Sequence, residues 1–224
     1  MLGSNDTAFA PTACGSGDVV VLSRVIENLT PKLWRLNVAT GELKQLTSGK
    51  SETTSSCTPD GKWVIYQGFL ATDSMSHIFK VSIDGGTPIE LARGDVTSPA
   101  VSPDGSLVVY VTSNGTHPKW VVQSLVGGAP AREFDVPPGG EPWAHNVVGW
   151  IPNGRGFTYV GNTTGSTQDV YMQPLTGGPR VQLTHFVSEP ALVMAYGWSR
   201  DGKKFAVTRG RYNNTDVVMF SNFR

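Results

Sequence analysis

The stretch "SPDGSLVVYV" at residues 102–111 decides the fold, because it is typical of a tight turn followed by a β-strand. Pro presets φ at the first turn position, Asp accepts hydrogen bonds from nearby backbone, and Gly adopts the left-handed conformation that closes a hairpin. Similar stretches are "TPDGKWVIYQ" at 58–67, "IPNGRGFTYV" at 151–160 and "SRDGKKFAVT" at 199–208. The chain is therefore built from internal repeats.

The repeat has a nearly constant period. Its turn glycines are Gly61, Gly105, Gly154 and Gly202, at intervals of 44, 49 and 48 residues. A step of 44 residues back from Gly61 reaches Gly17, which lies in one more copy at the start of the chain. This copy lacks Pro and brings the total to five. Each unit shows four short strand signals and no helical periodicity. Four strands in a unit of about 40–50 residues are typical of a β-propeller.

We therefore predict an all-β fold, a β-propeller of four-stranded antiparallel blades with five repeat units, either a closed five-bladed ring or part of a larger ring. One domain is expected over 1–224, with units at roughly 7–49, 50–94, 95–140, 141–188 and 189–224. The last unit is incomplete, since no fourth strand follows its third. Unpaired edge strands favour self-association.

Composition narrows the choice of partners. Lys plus Arg and Asp plus Glu number 18 each, so the formal net charge is zero and nothing favours nucleic acid. No run approaches the roughly 20 apolar residues of a membrane span.

The two cysteines, Cys14 and Cys57, occupy equivalent positions in neighbouring units. We expect their Cα atoms to lie farther apart than the roughly 4.4–6.8 Å of a disulfide. Two buried free thiols are predicted.

The turn acids have a structural explanation. Asp60, Asp104 and Asp201 accept hydrogen bonds within their turns, and Asn153 replaces Asp at the same place, a change that a general acid would not survive. The aromatic positions Trp34, Phe79 and Tyr171 are interpreted as core. These residues are therefore not assigned to a site.

The repeats resemble a known family. "SPDG" before an apolar strand, with "DVYMQPLTGGPRVQLT" at 169–184, resembles the WD-repeat-like (PD-type) propeller units of TolB-type proteins. "LWRLNVATGELKQLTSGK" at 33–50 and "GWSRDGKKFAVTRG" at 197–210 are most similar to the C-terminal propeller region of bacterial serine/threonine kinases with TolB-like repeats. The resemblance implies a non-catalytic sensing or docking module of a larger signalling or envelope protein, in a periplasmic or other extracytoplasmic location.

Catalytic motifs are missing from the sequence. It has no Gly-rich phosphate loop, His-Arg-Asp or Asp-Phe-Gly of a kinase, no Gly-x-Ser-x-Gly elbow and no His-Glu-x-x-His zinc motif. The four histidines show no ligand spacing. We predict no enzymatic activity, no cofactor and no metal site.

Acidic residues before the first strand of each unit form the candidate site. In a propeller these loops gather around one mouth of the central channel, where carboxylates create a negative potential that attracts a cation or a basic peptide end. An aromatic and a histidine in "EPWAHNVVGW" at 141–150 lie at the same entrance. The candidate binding residues are Asp6, Glu52, Asp95, Glu141, Trp143, His145 and Glu189. Solvated loop acids are the alternative interpretation, which the uneven register favours.

Three functions are compatible with these patterns. A protein- or peptide-binding propeller, with its ligand at the channel mouth, is preferred. A five-bladed glycosidase needs two carboxylates about 5–9.5 Å apart, which the acidic mouth could supply. A glycan-binding propeller would use Trp143, Trp120 or Trp34 as stacking surfaces. Near-identical repeats argue against the glycosidase, because its site needs different residues on different blades.

Overall fold

The computed structural model describes residues 6–27, 29–113, 117–138, 140, 148–162, 167–186, 192–199, 201–211 and 214–221. Within these ranges the secondary structure is entirely β, and no helix is long and apolar enough to cross a membrane. The strands are β1 (Thr7–Cys14), β2 (Val19–Val25), β3 (Lys32–Asn37), β4 (Leu43–Gln45), β5 (Ser51–Cys57), β6 (Trp63–Phe69), β7 (Ser76–Ser82), β8 (Ile89–Gly94), β9 (Val96–Val101), β10 (Leu107–Thr112), β11 (Lys119–Ser124), β12 (Arg132–Asp135), β13 (Val148–Trp150), β14 (Gly156–Asn162), β15 (Gln168–Pro174), β16 (Val181–Gln182), β17 (Leu192–Trp198), β18 (Lys204–Arg211) and β19 (Asn214–Ser221).

The strands form five antiparallel sheets in sequence order, which confirms the predicted propeller blades. The first four sheets each have four strands, β1–β4, β5–β8, β9–β12 and β13–β16, and the fifth has the three strands β17–β19 among the described residues. The chain divides into two compact units, Met1–Phe134 with the first three sheets and Asp135–Arg224 with the other two. The expectation of one domain over 1–224 stays a prediction.

Apolar side chains of consecutive sheets pack against one another inside each unit. Leu33 and Leu46 of the first sheet share a cluster with Tyr66 and Phe79 of the second. A second cluster joins the second and third sheets, and in the other unit Phe205 takes part in a cluster between the fourth and fifth. The core therefore lies between neighbouring blades. Of the aromatic residues that were predicted to be core, Phe79 and Tyr171 are buried and Trp34 is half-buried.

The Asp-Gly turns are held by a repeated hydrogen-bond network. In the third sheet, the Ser102 hydroxyl donates to Asp104 Oδ1 at 2.6 Å, the Ser106 amide donates to the same oxygen at 3.0 Å, and the Leu107 amide donates to Ser102 Oγ at 2.9 Å. The turns at Asp60 and Asp201 repeat this pattern. These contacts confirm that the acids are turn residues.

The turn glycines also touch the preceding blade. Gly105 and Gly202 have φ of 74° and 69°, which favours glycine. A Cβ at Gly105 would lie 3.2 Å from Pro59 of the turn one blade earlier, and a Cβ at Gly202 would lie 2.8 Å from Pro152. Sequence analysis explained glycine by its backbone conformation alone, whereas the structure adds close packing between consecutive turns.

The prediction of two free thiols is wrong, because Cys14 and Cys57 form a disulfide. Their Cα atoms are 5.2 Å apart, inside the range for a disulfide. The first strands of neighbouring blades lie closer than we expected: the Thr12 hydroxyl donates to the carbonyl of Ser55 at 2.8 Å. Equivalent positions on β1 and β5 therefore come within bonding reach.

The three first strands of Met1–Phe134 share a backbone irregularity. Ala10, Thr54 and Ser98 each have positive φ, at 51°, 44° and 54°, and each lies where the register with the second strand shifts. Their spacing is the 44-residue repeat interval. A bulge bends a strand and redirects its side chains. The bulge is thus a property of the repeat unit.

The turn acids predict an acid-dependent loss of stability. Hydrogen bonds from Ser102, from the Ser106 amide and from the Ser106 hydroxyl hold the pKa of Asp104 below its usual value. A group with a lowered folded-state pKa contributes stability above its unfolded pKa, and that contribution disappears as the pH falls through the folded pKa. We expect Asp104→Asn to lose less stability than wild type between about pH 5 and pH 2, measured as the urea midpoint. Asp135→Asn, an exposed acid, is the control. Parallel pH profiles of Asp104→Asn and wild type would contradict this.

Candidate ligand-binding site

The structure places the three described candidate acids in different surroundings. Asp6 forms an ion pair with Arg24, whose guanidinium lies 4.7 Å from the ring centroid of Trp34. Asp95 is exposed, and its backbone carbonyl accepts the Ser113 amide. Glu52 is buried. The remaining candidates, Glu141, Trp143, His145 and Glu189, lie outside the described residues, so the acidic channel mouth stays a prediction.

Glu52 is fixed by the connection between the first two sheets. The Thr47 hydroxyl donates to its Oε2 at 2.7 Å and the Gly49 amide donates to its Oε1 at 2.6 Å. The Glu52 amide donates to the carbonyl of Pro31 at 2.9 Å. A Cβ at Gly49 would lie 2.5 Å from Glu52 Oε1, so the carboxylate packs directly against this glycine. The side chain of Glu52 is 3% exposed.

A cavity of about 280 Å³ adjoins this carboxylate. It is bordered on one side by the end of the first sheet and on the other by the second sheet. Its residues are Leu46, Thr47, Ser48, Gly49, Glu52, Tyr66, Gly68, Phe69, Leu70, Phe79, Gly86 and Pro88. Ser48, Gly86 and Pro88 are exposed, so the cavity opens to solvent. We call it the Glu52 cavity.

Aromatic rings form much of the Glu52 cavity wall. The ring centroids of Tyr66 and Phe79 are 5.6 Å apart, in a tilted arrangement. Gly68 lies beside both rings, because a Cβ there would come within 3.1 Å of Phe79 and 3.2 Å of Tyr66. Phe69 adds a half-buried third ring. The cavity thus combines one carboxylate with apolar and aromatic surface.

Among the described residues, no ion pair involves the carboxylate of Glu52. Burial raises the pKa of Tyr66, and the negative charge of Glu52 raises it further. The ammonium of Lys32 donates to the carbonyls of Gly49 and Lys50. The cavity wall therefore carries a buried carboxyl group that has no ion-pair partner in the described part of the chain.

Glu52 was predicted from the sequence as a candidate, but its neighbours Thr47, Gly49 and Tyr66 were not. The available signal was the ending "QLT", which occurs at 45–47 and again at 182–184. In the second copy the Thr184 hydroxyl also donates to a buried carboxylate, that of Asp169, at 2.7 Å.

A second groove, of about 380 Å³, lies between the second and third sheets. Its acids, Asp60 and Asp104, accept hydrogen bonds within their own turns. Its cation, Lys80, donates to the carbonyl of Leu125 at 2.8 Å and lies 4.7 Å from the Trp63 ring centroid. Every charged group of this groove is already engaged, so the Glu52 cavity is the stronger candidate.

Of the histidines in the described part of the chain, His77 is buried, whereas His117 and His185 are exposed. His77 is 1% exposed, with Nδ1 at 2.8 Å from Glu90 and Nε2 at 3.2 Å from Asp73. Both ring nitrogens are occupied by carboxylates on opposite sides of the ring, so neither is left for a nucleophile or a metal ion. No group of three or more His, Cys, Asp or Glu side chains that could hold a metal occurs among the described residues.

Comparisons with known proteins place the fold. No family model and no curated protein matches the sequence. Two similar solved structures are TolB from Acinetobacter baumannii and a putative TolB from Agrobacterium tumefaciens, each with a TM-score of 0.74 and 17% identity. The alignments cover 99% and 97% of this chain, and 53% and 78% of those chains, respectively. This chain therefore spans about half the length of the first TolB.

A third similar structure is the β-propeller domain of the trilobed protease from Pyrococcus furiosus, with a TM-score of 0.64 and 11% identity, covering 100% of this chain and 71% of that chain. At these identities the likeness shows the fold alone. The TolB-like propeller part of the predicted resemblance is confirmed. The resemblance to the kinase propeller region stays a prediction.

Proposed function

We propose that this chain is a non-catalytic docking module that binds a protein or peptide. The supporting observation is the Glu52 cavity. Ligand pockets are usually apolar concavities with a few precisely placed polar groups that orient the ligand. The Glu52 cavity has this composition, and its 280 Å³ volume suits a single side chain or chain end rather than a whole small-molecule substrate. A protein ligand would insert one such group.

The engagement of Asp6 and of His77 favours binding over catalysis. Asp6 is paired with Arg24, and His77 lies between two carboxylates. A general acid or base needs an atom within hydrogen-bond reach of its substrate. Each of these groups is instead held by a neighbour in the fold.

The proposed module belongs to a larger signalling or envelope protein, as the resemblance to TolB-like kinase propellers implies. The Cys14–Cys57 disulfide supports an extracytoplasmic location, since disulfides form and persist mainly in oxidising compartments.

A peptide-display selection tests the docking role. The whole chain is immobilised, enriched peptides are synthesised, and their dissociation constants are measured by calorimetry. Ser48→Trp places an indole at the exposed rim of the Glu52 cavity. We expect this variant to weaken binding at least about tenfold, equivalent to about 1.4 kcal/mol. Val38→Trp adds the same side chain at a position that is 56% exposed and outside the cavity, and it should leave affinity unchanged.

Two results would contradict the docking proposal. One is a selection that enriches no peptide above an unrelated control protein. The other is turnover of a panel of aryl-glycosides by the purified chain, which would support the glycosidase alternative. Binding to a glycan array without turnover would instead favour the glycan-binding alternative.

A further inference from the structure

We propose that the Glu52 cavity binds a primary alkylammonium group, the chemistry of a lysine side chain or a peptide amino terminus. This inference rests on the proposed docking function and names the group that the ligand inserts. Three observations carry it: the unpaired buried charge of Glu52, its unused acceptor positions and the aromatic wall of the cavity.

The buried charge favours a cationic ligand. Taking an ionised carboxylate out of water is costly unless it is paired and hydrogen-bonded. Glu52 is 3% exposed and accepts two hydrogen bonds, but it has no ion-pair partner among the described residues. An entering cation would supply the missing opposite charge in a partly desolvated site, where electrostatic attraction is stronger than in water.

The unused acceptor positions favour N–H donors. An ionised carboxylate offers about four acceptor positions on its two oxygens. The Thr47 hydroxyl occupies one position on Oε2 and the Gly49 amide occupies one on Oε1. Each oxygen therefore keeps one position open. A primary ammonium has three donors and can use both positions, whereas a quaternary ammonium has none.

The aromatic wall favours a cation with an alkyl stem. Rings of Tyr66, Phe69 and Phe79 line the cavity. Aromatic faces attract ammonium groups and also cover the apolar stem that carries them. The lining extends from Glu52 and Gly68 to Gly86 and Pro88, which follow the far end of β7. An unbranched alkyl chain can lie along this lining, which makes the lysine side chain the preferred source.

Three small ligands separate the sources on the wild-type chain. Nα-acetyl-lysine N-methylamide carries only the side-chain ammonium, norleucine N-methylamide only the α-ammonium, and Nα-acetyl-norleucine N-methylamide neither. Binding is measured by titration of the amide NMR signals of Gly49 and Gly68. We expect the lysine derivative to bind at least about tenfold more tightly than the acetylated norleucine derivative. Tighter binding of norleucine N-methylamide would assign the site to amino termini.

Two charge-removing variants test the role of Glu52. Glu52→Gln keeps the size of the side chain and removes its charge, and it should abolish the preference for the lysine derivative. Glu42→Gln makes the same substitution at an exposed glutamate between β3 and β4 that does not line the cavity, and it should bind like wild type. Thermal unfolding of both variants establishes that they are folded. Phe69→Leu provides a second test, because it removes only one half-buried ring. We expect it to weaken binding of the lysine derivative by about two- to fivefold.

The outcomes distinguish this inference from the docking proposal. Equal binding of the lysine and acetylated norleucine derivatives, or equal weakening by Glu52→Gln and Glu42→Gln, would overturn the ammonium assignment. If the selected peptides still bind and Ser48→Trp still weakens them, docking stands and the ligand group is a different one. If no peptide and no lysine derivative binds, both proposals fail.

Discussion

Removal of the Cys14–Cys57 disulfide is expected to lower the free energy of unfolding by about 4 kcal/mol. The bond closes a loop with a sequence separation of 43 residues. Cross-linking such a loop reduces the conformational entropy of the unfolded chain, and the reduction grows with the logarithm of loop length. The loop contains β2–β4 and most of β5, so the bond ties the first sheet to the second.

Urea unfolding with and without dithiothreitol measures this effect. The Cys14→Ala/Cys57→Ala double variant is the control, since its stability should equal that of the reduced protein and should not respond to the reductant. Single cysteine variants should resemble the double variant. A midpoint that is unchanged by reduction would contradict the prediction and would mean that the bond contributes nothing to stability.

Asp169→Ala is expected to cost about 3–5 kcal/mol. The carboxylate is 1% exposed and accepts hydrogen bonds from the Thr184 hydroxyl at 2.7 Å, the Phe186 amide at 2.9 Å and Gln182 Nε2 at 3.2 Å. Hydrogen bonds to charged groups are stronger than neutral ones, and their loss leaves buried donors without partners. The end of the fourth sheet depends on this acid.

Chemical denaturation of wild type, Asp169→Ala and Asp201→Ala gives the test. Asp201 is an exposed turn acid in the same unit, so its replacement should cost clearly less. Asp169→Asn keeps the shape of the side chain and should be intermediate, because its amide retains one acceptor oxygen. Equal losses for Asp169→Ala and Asp201→Ala would show that the buried network does not contribute as the structure indicates.

The blades could be predicted from the sequence because their signals are local. The Pro-Asp-Gly turn, the following apolar strand and the constant period each act within a few residues, and β6, β10, β14 and β18 begin within one to three residues of the predicted turns. Turn acids such as Asp104 were also identified correctly. Short-range backbone preferences therefore determine the repeat unit.

Contacts between blades could not be predicted in the same way. The Cys14–Cys57 disulfide depends on how closely β1 approaches β5, and the sequence period contains no information about this distance. The acid Glu52 was selected as an exposed loop residue, but Thr47 and the Gly49 amide enclose it. Its cavity forms where two sheets meet, so its lining is scattered over residues 46–88.

Two turn glycines contact the proline of the preceding turn, so this joint needs only a glycine on one blade and a proline on the blade before it. Gly105 meets Pro59, and Gly202 meets Pro152. Where each blade contacts the preceding blade through the same two turn residues, further blades can be added in series without a different contact surface. A gene segment that encodes one Pro-Asp-Gly unit could thus be duplicated in frame and would bring both halves of the joint with it. Gly15 meets Gly61 through backbone atoms alone, and the last copy, "SRDG" at 199–202, also lacks the proline, so neither the first nor the last copy brings both halves of the joint with it.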